Sequence, residues 1–178
     1  KGPQGTLFGR NTTGGAVILV PQKPTENLEG YVEGSIGNYD MRRLQAVMNL
    51  PVADTVRLRL GVEHQKRDGY MRNLLPIGPR RFDDINYLSL RGSLVIDVTP
   101  ELENYTIASY VDSDTNGHVM KAVAGNCNAP IIGQICSSIA KQNAAGFHTL
   151  VSDMAGARAN LSQWQVINNT KWVVSDTL

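Results

Sequence analysis

One stretch of the sequence decides the fold: Val56-Arg57-Leu58-Arg59-Leu60-Gly61-Val62-Glu63. Aliphatic residues occupy every second position, and arginine, glycine and glutamate occupy the positions between them. Because successive side chains of a β-strand point to opposite faces, this pattern predicts a strand with one aliphatic and one polar face. The same alternation recurs at residues 43–52 and 87–98, and weaker versions run over 28–37, 102–112 and 164–174.

The length of these strands and the order of their connections favour a membrane barrel. The strands have about 10 to 13 residues, whereas strands of soluble proteins have about five or six and tilted membrane strands need about 9–11. Short connections at 51–55 and 99–101 alternate with longer ones at 68–83 and 113–163, and only the first outer loop, 38–40, is short. Outer-membrane barrels have short periplasmic turns and longer extracellular loops, so we predict that 68–83 and 113–163 face the cell exterior.

The composition excludes several other classes of protein. The chain has 178 residues, of which 17 are Lys or Arg and 16 are Asp or Glu, and its formal net charge is +1. With 42% hydrophobic and 19% charged residues, neither a disordered chain nor a strongly basic nucleic-acid module is indicated. The longest apolar run, residues 16–20, is far shorter than the roughly 20 residues of a membrane-spanning helix.

Two cysteines, Cys127 and Cys136, lie in a loop-like run that begins at Gly125. A zinc site is not indicated, because it would need more nitrogen or sulfur ligands at shorter spacings. A disulfide forms in an oxidising compartment such as the periplasm or the cell surface, and two free buried thiols are the alternative. We predict the disulfide.

Motifs for catalysis are missing from the sequence. No Gly-x-Ser-x-Gly elbow occurs, and the three histidines show no metal-binding spacing, so we expect no enzyme, no metal site and no cofactor. The chain also contains four Asn-x-Ser/Thr sequences, which begin at Asn11, Asn104, Asn160 and Asn168. Such sequences accept glycans in secreted eukaryotic proteins, but they have no such meaning in a bacterial outer-membrane protein.

The N-terminal segment carries a family resemblance. Its sequence is Gly2-Pro3-Gln4-Gly5-Thr6-Leu7-Phe8-Gly9-Arg10-Asn11-Thr12-Thr13-Gly14-Gly15-Ala16, followed by a hydrophobic strand and Lys23-Pro24. This segment resembles the end of the plug domain of TonB-dependent outer-membrane receptors, and residues 29–40 resemble the first barrel hairpin of that family. Residues 67–70 and 168–172 resemble later strand segments.

The resemblance implies an all-β fold. Residues 1–26 would be the C-terminal end of a plug domain. Residues 27–178 would be the N-terminal portion of the barrel, about six strands of a roughly 22-stranded transmembrane antiparallel β-barrel. The long loop at about 113–163 would be extracellular, and the location would be the bacterial cell outer membrane. We therefore expect the chain to be a piece of a larger receptor.

The function implied by the resemblance is import of a scarce nutrient, with a ferric siderophore as the default substrate. Cobalamin, sugars and aromatic compounds are the other ligand classes of the family. The expected partners are the small-molecule ligand, outer-membrane lipid and the TonB complex, which would engage an N-terminal box that this chain does not contain. No nucleic-acid partner is expected. The alternative is a soluble extracellular β-rich module that binds carbohydrate.

The candidate site residues fall into three groups. Arg10 and Lys1 are candidates for contact between plug and barrel, where the alternative is a solvated surface charge. Four residues are expected to face the barrel lumen, either as ligand contacts or as part of a generally polar interior: Arg57, Arg59, Glu63 and Arg91. Three loop arginines would attract an anionic ligand or a lipopolysaccharide phosphate, or would be ordinary solvated charges: Arg72, Arg80 and Arg81.

Two tryptophans are candidates for the aromatic girdles of the membrane. Trp164 and Trp172 are eight residues apart on one strand face, or about 27 Å at ~3.4 Å per residue. The apolar band of a membrane barrel is about 25 Å tall. One tryptophan is therefore expected near each membrane interface.

Overall fold

The computed structural model describes residues 19–128 and 133–174. Lys1 and Arg10, the predicted plug contacts, lie outside the described residues. The main sheet contains β1 (Glu29–Gly37), β2 (Met41–Ala53), β3 (Val56–Arg67), β6 (Ile85–Thr99), β7 (Leu102–Thr115) and β9 (Ala159–Trp172). The other elements are β4 (Met71–Asn73), β5 (Arg81–Phe82), helix α1 (Gly133–Ala144) and β8 (Thr149–Leu150).

The main sheet is antiparallel throughout, and its strand order is β1-β2-β3-β6-β7-β9. The predicted all-β class, as a fragment of a barrel, is confirmed. Several strands extend further toward the outer loops than predicted, so the long loop spans 116–158 rather than 113–163. Residues such as Asp114 and Asn160 are polar but still pair in the main-chain ladder, and aliphatic alternation does not detect them.

The two faces of the sheet are chemically different. Leu60 lies opposite Met48 on β2 and Gly92 on β6, whereas its neighbour Arg59 lies opposite Asn49 and Ser93. We call the side of Leu60 the apolar face and the side of Arg59 the polar face. The apolar face is exposed along its length, and it includes the following large side chains: Val32, Met48, Leu60, Val62, Leu90, Tyr110, Trp164, Val166 and Trp172. An exposed apolar surface of this extent indicates contact with lipid or with another protein.

The two longer outer loops fold together. A small sheet of order β5-β4-β8 joins them, in which β4 pairs antiparallel with β5 and parallel with β8. Its core consists of Phe82, Leu150 and Met71, which are almost fully buried. We call this unit, residues 68–84 and 116–158, the cap. Gly69 allows its close packing, because a Cβ there would lie 2.2 Å from the carbonyl oxygen of Phe82.

Helix α1 is part of the cap. The sequence pattern around Cys136 predicts a loop, but the helix begins at Gly133 and includes that residue. A disulfide joins Cys136 to Cys127, which confirms the predicted bridge. The buried Gln142 of α1 accepts a hydrogen bond from the Val151 backbone N–H, at 3.1 Å, and so ties the helix to the segment after β8. Within the described ranges, no helix is long and apolar enough to cross a membrane.

We expect Phe82→Ala to loosen the cap and leave the main sheet intact, because a buried phenylalanine contributes about 3–5 kcal/mol and this one lies in the core of the cap. The measurement is the rate of protease cleavage within residues 116–158 of the full-length protein in outer-membrane preparations. Phe147→Ala is the matched control, since Phe147 is 77% exposed. Equal cleavage rates in the two variants would contradict the proposed core.

Candidate functional site: the polar face and the segment that crosses it

The segment before β1 crosses the polar face of the sheet. Lys23 Nζ lies 2.5 Å from Glu103 Oε1 on β7 and 5.2 Å from the centre of the Tyr105 ring. Arg57 on β3 bridges Glu26, at 3.4 Å, and Asp97 on β6, at 2.6 Å. We call residues 19–27 the strap. Charged contacts therefore hold the strap to β3 and β7.

Asn49 is the central attachment point of the strap. Its side-chain amide donates to the carbonyl oxygens of Thr25, at 2.9 Å, and Asn27, at 2.6 Å, while its Oδ1 accepts from the Thr25 N–H at 2.8 Å. The Asn49 side chain is fully buried. An unsatisfied buried amide is costly, so this set of reciprocal hydrogen bonds specifies one path for the strap across β2.

A second network on the polar face connects four strands. Arg43 on β2 contacts Glu63 on β3 at 2.9 Å and Glu33 on β1 at 3.2 Å. The Tyr87 hydroxyl on β6 donates to the same Glu63 carboxylate at 2.5 Å. The Glu63 carboxylate therefore has two partners within the sheet, and its role in this arrangement is structural.

A cavity of about 300 Å³ lies between the strap and the sheet. Arg59 on its wall donates to the neutral Gln22 side chain of the strap at 3.1 Å. Arg91 also lines the cavity, and its guanidinium has no side-chain partner among the described residues. Ser89 and Ser93 add hydroxyl groups. Two guanidinium groups without a carboxylate partner favour an anionic or strongly hydrogen-bond-accepting group in this space.

The structure therefore brings one predicted group together. Arg57, Arg59, Glu63 and Arg91 share the polar face. Their roles differ. Arg57 is paired with Asp97 and with Glu26 of the strap, and Glu63 is paired with Arg43. The Arg91 guanidinium lines the cavity and has no side-chain partner among the described residues. In residues 19–128 and 133–174, no cluster of three or more His, Cys, Asp or Glu side chains could hold a metal ion.

The cap arginines form a separate group. Arg72 and Arg81 are direct cross-strand partners on β4 and β5, and Arg80 precedes Arg81. Arg81 donates to the Gly69 carbonyl at 3.0 Å and so contributes to the fold of the cap. Arg80 and Arg81 also line a cavity of about 370 Å³ together with Lys66, Arg67 and three aspartates. At the base of the cap, the Asp114 carboxylate accepts hydrogen bonds from the guanidinium of Arg158 and raises the pKa of that group.

Sequence reasoning missed the residues that hold the strap. Lys23, Asn49 and Glu103 were not candidates, since their partners lie 22 to 80 residues away in the sequence. The available signal was weak: Asn49 is a polar residue within a mostly aliphatic strand, and Glu103 is one of two acidic residues near the start of another. Neither feature identifies a partner without the sheet register.

The geometry defines a class of protein, a fragment of an all-β barrel whose sheet has one polar and one apolar face. Comparisons with known proteins agree. The chain is 37% identical over 54 residues to the pesticin receptor of Yersinia pestis, an alignment that covers 30% of this chain and 8% of the relative. The pesticin receptor of Yersinia enterocolitica matches equally well. The ferripyoverdine receptor of Pseudomonas aeruginosa is 28% identical over 119 residues, covering 66% of this chain and 14% of the relative.

The chain is thus related to TonB-dependent outer-membrane receptors, and the predicted location in the bacterial outer membrane is confirmed. It spans less than a sixth of the length of these curated relatives. They are receptors by name rather than enzymes. No family model and no solved structure matches the chain.

We expect Asn49→Leu to release the strap, because it removes three hydrogen bonds to the main chain of Thr25 and Asn27, each worth about 0.5–1.5 kcal/mol. Hydrogen exchange of the purified full-length protein in detergent should accelerate at residues 25–28 and stay unchanged in β6 and β7. Asn160→Leu is the control, since Asn160 makes no side-chain hydrogen bond among the described residues. Unchanged exchange at residue 25 in Asn49→Leu would refute the attachment.

Proposed function

We propose that the chain forms the first part of the barrel of a receptor that imports a scarce nutrient across the outer membrane, with a ferric siderophore as substrate and the TonB complex as energy source. The observation that carries this proposal is the strap, which is attached by ion pairs and buried hydrogen bonds to the polar face of a sheet whose other face is apolar and exposed. In this proposal residues 1–26 are the end of the plug and residues 27–178 begin the barrel.

The strap supports an assignment of the two faces. A plug inside a barrel reaches the wall only from the lumen, so the face that carries the strap lines the lumen and the apolar face contacts lipid. The charges agree with this assignment, because Arg57, Arg59, Glu63 and Arg91 all lie on the strap side. An arginine on the lipid side would cost roughly 2–4 kcal/mol at the membrane midplane.

The cap supports an orientation. The short turns at 54–55 and 100–101 face the periplasm, and the cap at the opposite end of the strands meets ligand from outside the cell. Arg72 and Arg80 are exposed, and neither side chain has a partner among the described residues, so both are available to an anionic ligand. The name of the ferripyoverdine receptor supports a ferric chelate as that ligand.

The strap also suggests where the ligand passes. Its contacts with the wall are polar and lie next to the cavity that contains Arg59 and Arg91. Force applied to the plug would strain the Lys23–Glu103 and Glu26–Arg57 pairs, which are partly exposed and individually weak. Moving the strap would enlarge that cavity into a path along the wall. The alternative of a soluble carbohydrate-binding module does not account for the exposed apolar face.

The face assignment predicts opposite results for two adjacent residues of β3. Leu60→Arg should prevent barrel assembly, because it places a charge in lipid at a cost of roughly 2–4 kcal/mol. Arg59→Leu should preserve assembly and lose only the contact with Gln22. The measurement is the heat-modifiable folded band of the full-length protein on a gel. Loss of that band in Arg59→Leu but not in Leu60→Arg would show that the two faces have been assigned the wrong way round.

Transport can be tested in a strain that lacks the full-length protein. We expect growth under iron limitation to fail with at least one of a panel of purified ferric siderophores, and complementation to restore growth only when TonB is present. Arg72→Gln combined with Arg80→Gln should weaken binding of that chelate to cells several-fold, whereas Arg158→Gln, which is paired with Asp114, should not. Normal growth with every ferric siderophore would refute iron import as the function.

A further inference from the structure

A polar cluster lies on the apolar face, where β7 and β9 pair. It consists of Asn104 and Thr106 on β7 and Asn168 and Thr170 on β9. The two strands run antiparallel, so that Asn104 lies opposite Thr170 and Thr106 lies opposite Asn168. Their neighbours in the sheet register are aliphatic, since Leu94 lies beside Thr106 and Ile96 beside Asn104. Polar side chains at this place need an explanation if the face contacts lipid.

The four side chains satisfy one another completely. Asn104 Nδ2 donates to Asn168 Oδ1, at 3.3 Å, and to Thr170 Oγ1, at 2.8 Å. Asn168 Nδ2 donates to Asn104 Oδ1, at 3.1 Å, and to Thr106 Oγ1, at 2.7 Å. The hydroxyl of Thr106 donates back to Asn104 Oδ1, at 3.1 Å, and that of Thr170 donates to Asn168 Oδ1, at 3.2 Å. Every N–H and O–H donor of the four side chains is therefore used inside the cluster.

The position of the cluster fits the interior of the bilayer. Trp164, Asn168 and Trp172 lie on the same face of β9, and Asn168 is four residues, or about 14 Å, from each tryptophan. With one tryptophan near each membrane interface, Asn168 lies midway between them. A group at that depth has no water to bind, so its hydrogen bonds must be made within the protein.

We propose that these four residues form a closed hydrogen-bond ring within the lipid-facing surface, and that the ring fixes the register of β9 on β7. A tight turn usually sets the register of a hairpin, but here residues 116–158 separate the two strands. A slip of two residues would place Asn168 opposite Asn104 or opposite Ala108, and either arrangement leaves polar groups without partners in lipid. A slip of one residue would move the polar face to the lipid side.

The inference rests on the proposed assignment of the apolar face to lipid, and its first test is the assembly of the full-length protein. Asn104→Leu and Asn168→Leu should each reduce the heat-modifiable folded fraction at least about threefold, because each substitution leaves the remaining polar side chains of the ring without partners in lipid. The quadruple variant Asn104→Leu, Thr106→Val, Asn168→Leu, Thr170→Val removes every partner together and should recover the folded fraction. Ser162→Ala is the control, because its hydroxyl contacts Tyr110 outside the ring.

The second test reads the register directly. Ser109 lies opposite Gln165, so a disulfide between cysteines at these positions reports the native register. Cysteines at 109 and 163, or at 109 and 167, report slips of two residues, because such diagonal positions lie about 7–8 Å apart in the native pairing and do not bridge. With the ring intact only the native pair should crosslink, and in the quadruple variant a slipped pair should crosslink at least about threefold more.

Either of two results would overturn the ring. One is full assembly of both single variants, which would mean that water reaches the cluster. The other is a quadruple variant that shows only native crosslinks, which would mean that the register is set elsewhere. Both failures are distinct from a failure of the barrel assignment itself, because that assignment is tested by Leu60→Arg on β3, outside the ring.

Discussion

The structure depends on the pairing of β3 with β2 and β6 in one register. This ladder places Arg57, Arg59 and Glu63 on one side and the aliphatic residues of β3 on the other, with matching residues on both neighbours. Because the side-chain period of a strand is two, a slip of one residue would exchange the faces of the whole strand. The strap could then no longer contact Arg57, and the charged residues of β3 would lie on the apolar face.

In that register, the two faces of the sheet carry different kinds of side chain and make different contacts. On the polar face the stabilising contacts are specific and directional, as the buried Asn49 and the Arg43–Glu63–Tyr87 network show. On the apolar face most side chains are aliphatic and make no directional contacts, and the hydrogen-bond ring of β7 and β9 is the exception. This division explains why the fully buried side chains Asn49 and Val95 lie on the polar side of a sheet whose largest apolar surface is exposed.

The sequence predicted the features that depend on local periodicity. All six long strands were found from alternation, and the faces of Leu60 and Arg59 followed from the same signal. The disulfide between Cys127 and Cys136 was predicted from the expected compartment. Features that depend on distant partners were not found: the strap contacts join residues up to 80 positions apart, and the parallel pairing of β4 with β8 joins two loops that have no shared pattern. The helix α1 did leave a signal, Ile135 and Ile139 at a spacing of four, but the nearby glycines and proline obscured it.

The β7–β9 pair shows how register can be specified where local signals end. A short turn constrains β2 with β3 and β6 with β7, but the cap segment between β7 and β9 is long and has its own core. Apolar side chains on a lipid-facing surface give little selectivity, because one aliphatic neighbour is nearly as good as another. Paired asparagine and threonine side chains are selective, since a wrong register leaves them unsatisfied where no water replaces the lost partner. Polar groups placed in lipid thus cost stability in every register except one. That difference in free energy can select the native pairing of β9 with β7, although a long segment separates the two strands.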